Sequence, residues 1–179
     1  MEEKDEVLEY MVNREWEKES KIESKHFLLN IAKESRNSEE LSTKIGGMLI
    51  FNQITEQLLK EIIICSIGYL KAEIWPASIE FNLQISKASF GKLLEYFKQF
   101  VIKEYNKDIL IKHLEELNKS RNEMVHRLFD IEDMNELKNK LDDFGNMSLE
   151  VIELLVEYYN AICDNLYELD DRVNFESLL

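Results

Sequence analysis

Apolar residues recur at helical spacing along most of the chain. From about residue 4 to residue 34, Val7, Leu8, Met11, Trp16, Ile22, Phe27, Leu28 and Ile31 stand among dense charges and predict a helix with a patchy apolar face. Asn37 and Ser38 then offer a helix cap ahead of Glu39 and Glu40, whose negative charge suits a first turn. The next segment carries the longest stripe. Leu41, Ile45, Met48, Leu49, Ile54, Leu58, Leu59, Ile62, Ile63, Ile67 and Leu70 predict the main core helix, with Gly46-Gly47 and Gly68 as soft points and an end near Trp75-Pro76.

The helical period lapses over residues 76–87, where Ile79 to Ile85 alternates apolar with polar; a short strand and a packed loop account for this equally well. From about Ser86 to Ile102, Phe90, Leu93, Leu94, Phe97 and Val101 again share one side of a helix. Another helix starts at Asn106 or Lys107 and reaches about Phe129. Residues 133–144 read as a short charged helix stopped at Gly145, a residue suited to the left-handed turn that ends helices. Asn146 or Ser148 then caps a last helix to about Asp171, striped by Val151, Leu154, Leu155, Tyr158, Ile162, Leu166 and Leu169. The expected fold is all-α: an amino-terminal helical arm over residues 1–37, then a bundle of four main helices and a short accessory helix over residues 38–179.

Composition supports this. Five glycines and one proline in 179 residues leave little turn chemistry for a many-stranded fold. The apolar runs are far shorter than the roughly 20 residues that span a bilayer, and the acidic start, Met1 to Glu6, is the reverse of a secretory signal. A cytoplasmic protein with no membrane partner is expected. Cys65 and Cys163 lie far apart in apolar segments and are expected to be reduced core residues. His26 and His113 have no ligand-spaced companions, so no metal and no cofactor is expected.

Net charge is −14, which argues against a nucleic-acid partner until its distribution is read. Residues 1–80 carry 10 basic and 16 acidic side chains, and residues 131–179 carry 3 and 13. Residues 81–130 carry 9 and 7, the one net-basic stretch. A local anion site is compatible with an acidic protein.

That stretch contains the one segment with candidate chemistry. Leu110, Leu114, Leu117, Arg121, Met124 and Leu128 are spaced by four and three residues in turn, an apolar seam with an arginine in it. An arginine there needs a counter-charge, a bound anion or water, because burying it unpaired costs several kcal/mol or more. Beside the seam, Asn118, Asn122 and His126 recur every four residues along one line of the helix. Arg121 and His126 stand roughly 140° apart around an ideal helix, so one straight helix does not bring their tips together.

The run Leu117-Asn118-Lys119-Ser120-Arg121-Asn122-Glu123-Met124-Val125-His126-Arg127 resembles the defining motif of HEPN domains, an arginine followed by a polar residue with histidine a few positions on. Upstream, Ser89-Phe90-Gly91-Lys92-Leu93-Leu94-Glu95 is similar to the segment that introduces the preceding helix in several HEPN groups. With the order of helices, the resemblance covers about residues 40–170.

The resemblance implies a homodimer whose motif helices face each other across one cleft, and a metal-independent endoribonuclease acting on single-stranded RNA. His126 would move a proton from the 2′-hydroxyl or to the leaving 5′-oxygen, giving a 2′,3′-cyclic phosphate and a 5′-hydroxyl. Arg121 would hold the phosphate and stabilise the charge of the transition state, with Asn122 orienting phosphate or histidine. Lys119 and Arg127 are candidate RNA contacts, and solvated surface groups otherwise. A toxin or phage-defence role with an antitoxin partner is the implied setting. The chain carries Leu128 where some HEPN toxins have a tyrosine modified by a partner nucleotidyltransferase, which puts that form of control in doubt.

Other readings stay open. Arg121 would be accounted for by a Glu or Asp on a neighbouring helix, and His126 by the dipole of a helix end. A HEPN-like domain without nuclease activity would serve as a dimerisation or partner-binding module, and a helical adaptor outside the family would carry the motif by coincidence.

Overall fold

The computed structural model describes residues 27–73, 83–100, 107–127 and 133–172. Five α-helices account for nearly all of them: α1 (residues 27–36), α2 (Leu41–Glu73), α3 (Phe90–Phe100), α4 (Lys107–Arg127) and α5 (Met134–Arg172). No strand occurs among the described residues. Leu83 and Gln84 lead into a single 3-10 turn, Ile85–Lys87, so the packed loop accounts for the end of the alternating stretch; residues 79–82 lie outside the described residues.

Helices α2 and α5 form the longest pairing and run in the same direction, with Lys44 beside Asp142 near one end and Cys65 beside Tyr159 near the other. Burial pushes the Tyr159 phenol up, and the Cys65 and Cys163 thiols and Glu61 add to the shift. Both thiols are free, Cys65 buried and Cys163 half-buried. Helices α3 and α4 are antiparallel, Phe90 lying by Arg121 and Lys98 by Glu115. They close the ring by packing on α2 and α5 respectively. Phe51, Phe90, Phe97 and Phe144 are fully buried among Leu59, Leu93, Leu114, Leu117 and Leu155. Each such side chain contributes about 1.5–3 kcal/mol of transfer free energy. The Phe97 and Tyr158 rings meet edge to face at 5.6 Å, tying α3 to α5 through the core.

The turn between α1 and α2 follows the capping signals. The Asn37 and Ser38 amides return to the Glu34 and Ser35 carbonyls at 3.1 and 3.2 Å, and the Ser38 hydroxyl accepts the Glu40 amide at 3.1 Å. The Ser42 and Thr43 hydroxyls donate to the Glu40 carboxylate at 2.6 and 3.0 Å and hold it below the ordinary carboxylate range.

Three expectations are corrected. Residues 133–144 are not a separate accessory helix: α5 runs unbroken for 39 residues through Gly145, Asn146 and Ser148. The cause is tertiary. A Cβ on Gly145 would lie 2.8 Å from Arg36 Cδ and 3.1 Å from Cγ, and Arg36 Nη1 donates to Asn146 Oδ1 at 2.7 Å. Ser148 is fully buried inside the bundle. The apparent stop and cap are therefore the seat of α1 on α5. Second, Leu49 is 53% exposed, whereas Phe51, Asn52 and Thr55 are buried. Of the expected stripe, Met48, Ile54, Leu58, Leu59, Ile62 and Ile63 are buried, and Phe51, Asn52 and Thr55 join them on the buried face, away from Leu49. Third, the helix expected from Ser86 begins at Phe90, Ile85–Lys87 forming the 3-10 turn ahead of it.

Gly46 and Gly47 leave α2 unbroken. A Cβ on Gly47 would stand 2.8 Å from Ser35 Cβ and 3.3 Å from the Ala32 carbonyl oxygen, so glycine permits the close approach of α1. Ala32, fully buried, belongs to the common core. Lys44, only 9% exposed, donates to the Arg36 carbonyl at 2.7 Å and to Asp142, joining three helices.

Candidate functional site

The seam of α4 is as expected: Leu110, Leu114, Leu117 and Met124 are buried, and Arg121 falls in line with them. Its compensation comes from α2. Arg121 Nη2 lies 3.1 Å from Glu56 Oε1, with 29% of the arginine side chain and 24% of the glutamate side chain exposed. The guanidinium carbon also sits 5.8 Å from the centre of the Phe90 ring, at the first residue of α3. Counter-charge and aromatic platform together satisfy a cation that the apolar pattern alone would leave stranded.

Two separated segments of the chain meet here. The Ser89 carbonyl accepts the Leu93 amide at 2.8 Å to start α3, and a Cβ on Gly91 would come within 3.8 Å of Asn118 Nδ2. The first turn of α3 therefore lies against Asn118 and Arg121. Amides of a first helical turn lack partners within the helix and favour anions.

Asn122 and His126 are exposed on α4, with His126 in its last turn. Among the described residues, Arg121 touches Glu56 and Phe90 and makes no hydrogen bond to Asn122 or His126. Within one chain, the roughly 140° between Arg121 and His126 around the helix accounts for their separation. Lys119 is exposed and, among the described residues, makes no ion pair. Arg127 closes α4, its side chain lying outside the described residues, as do Leu128, His26, Trp16 and Val101.

Lys92, Lys98, Lys112 and His113 of α3 and α4 each have a carboxylate partner. Lys92 meets Glu95 at 2.6 Å, Lys98 meets Glu115, and Lys112 stands 3.9 Å from Glu116. His113 Nδ1 lies 2.9 Å from the Ile109 carbonyl oxygen, and its Nε2 is 3.3 Å from Glu150 Oε1. No three His, Cys, Asp or Glu side chains gather at metal-ligand spacing among the described residues, and no helix there is long and apolar enough to cross a membrane.

Glu56 escaped the sequence reading. Its signal is the spacing Met48, Asn52, Thr55, Glu56, Leu59, which carries polar residues along the buried face of α2 just as Arg121 interrupts that of α4. Asn52, one turn before Glu56, is buried with no hydrogen-bond partner on Oδ1. Comparison of the chain with protein-family models, with curated proteins and with solved structures returns no match.

Proposed function

We propose that the chain is a metal-independent endoribonuclease of HEPN type, acting on single-stranded RNA as a homodimer whose α4 helices face each other. One observation carries this reading. The two segments that resemble the family, Ser89–Glu95 at the start of α3 and Leu117–Arg127 at the end of α4, are brought together by the antiparallel pairing at one end of the bundle, Phe90 against Arg121 and Gly91 against Asn118.

In this mechanism Arg121 grips the scissile phosphate with its planar fork. His126 of one chain takes the 2′-hydroxyl proton, the 2′-oxygen attacks phosphorus, and the P–O5′ bond breaks as the departing oxygen receives a proton. The products are a 2′,3′-cyclic phosphate and a 5′-hydroxyl. Asn122 orients the phosphate, Lys119 and Arg127 contact the flanking backbone, and the second chain supplies the acid–base group that one helix cannot bring to its own arginine. A toxin or phage-defence role held in check by an antitoxin protein fits such an activity.

The test is cleavage of single-stranded RNA in the presence of a chelator, with chain association followed by light scattering. His126→Ala should slow cleavage by about 100- to 10,000-fold. Arg121→Ala should act strongly as well, and Asn122→Ala less. A requirement for a divalent ion, or an unimpaired His126 variant, would sink the reading. The Arg121–Glu56 pair favours a second one, a HEPN-like dimerisation or partner-binding module without catalysis. Binding of a protein partner by parent and variants alike, with no RNA cut, would establish it.

A further inference from the structure

The proposed reaction leaves Glu56 without a role, yet this carboxylate occupies the cation meant for phosphate. The pair is neither a solvated surface contact nor a sealed core pair: both side chains keep roughly a quarter of their surface in water. Arg121 Nη2 meets Glu56 Oε1 at 3.1 Å, and a guanidinium that holds a carboxylate oxygen can equally hold the oxygens of a phosphate. The guanidinium carbon also stands 5.8 Å from the centre of the Phe90 ring, so Glu56 and Phe90 share one cation. Glu56 lies within the long helix α2, so its backbone cannot retreat, but three side-chain torsions let the carboxylate swing toward solvent.

We propose that Glu56 is a built-in competitor for the anion site of Arg121, holding the guanidinium until a nucleic-acid phosphate displaces it. The inference rests on the ribonuclease reading only in taking Arg121 as the phosphate-binding cation. It makes binding at this site an exchange of anions rather than capture by a free cation, so weak or monovalent anions are turned away while a polyanion that gains further contacts at Lys119 is accepted.

The probe is a short 2′-O-methyl oligoribonucleotide, which lacks the attacking hydroxyl and so separates binding from cleavage. Glu56→Gln, which keeps shape and removes charge, should bind it about fivefold more tightly than the parent at fixed salt, the order expected for losing one competing ion pair. Glu153→Gln, the same change on the exposed face of α5, should leave affinity within twofold or so, since distant surface charges are screened. Adding Arg121→Ala to Glu56→Gln should abolish the gain. Equal or weaker binding by Glu56→Gln, or a gain that survives loss of Arg121, overturns the proposal. Should Glu56→Gln fail to fold, the unaltered protein decides: saturation with the probe must shift the carboxylate carbon resonance of Glu56, and an unmoved resonance overturns it. Tighter binding by Glu56→Gln with no RNA cleaved by any chain would support the competitor and end the ribonuclease reading. His126-dependent cleavage without tighter binding would do the reverse.

Discussion

Two arginines in this bundle are held in different ways. Arg36, at the end of α1, lays its aliphatic stem over Gly145 and donates to the amide oxygens of Asn146 at 2.7 Å and Asn37 at 3.5 Å, both neutral acceptors. Arg121, in the seam of α4, rests on one carboxylate and one ring. The first arrangement spends the whole side chain on fastening one helix to another, and glycine is placed to make room for it. In the second, no glycine clears a path and, among the described residues, the polar partner is Glu56, a carboxylate that another anion can replace. Position in an apolar pattern announced the second arginine and concealed the first; the surroundings separate a structural cation from one available for ligand.

Substitutions can break this contrast. The largest effect on stability should come from the Arg36 end, where Gly47→Ala and Lys44→Ala each remove a junction of α1. Either should cost about 2 kcal/mol, the former by forcing Ser35 and the Ala32 carbonyl away, the latter by stranding the Arg36 carbonyl and the Asp142 carboxylate. Denaturant midpoints measure both, and Lys44→Met should recover part of the loss by keeping the stem packed. Arg121→Ala should cost less, about 1 kcal/mol, because its pair with Glu56 is partly solvated. A larger loss there than at Lys44 would make Arg121 a structural residue of the same kind as Arg36. The smallest effect has the opposite sign: nothing lies within 4 Å of a Cβ on Gly46, so Gly46→Ala should raise stability by up to about 1 kcal/mol through helix propensity. Adjacent glycines would then differ in sign because only one faces α1.

The helices were legible because each carries its own period. Of the stripes of α4 and α5, Leu110, Leu114, Leu117 and Met124, and Val151, Leu155, Tyr158 and Ile162, are buried and Leu154 is half-buried against them. The interruption at Arg121 showed that a counter-charge was needed. Which carboxylate supplies it was not legible, since Glu56 reaches Arg121 only after α2 and α4 are placed side by side. Gly145 and Asn146 were misread for the same reason. Local rules assign glycine followed by asparagine to a helix end, and only the arrival of Arg36 from α1 shows that the pair keeps a helix intact while making a socket in it.

That socket sets a schedule for the birth of the protein. Arg36 finds Asn146 across 110 positions of sequence and Lys44 finds Asp142 across 98. At synthesis rates of roughly 5–20 residues per second, α1 and α2 therefore wait several seconds or more before their partner in α5 leaves the ribosome. Through that interval Met48, Phe51, Leu58, Leu59 and Ile62 have no α5 to cover them. The nascent chain is then most open to chaperones and to association with its own kind.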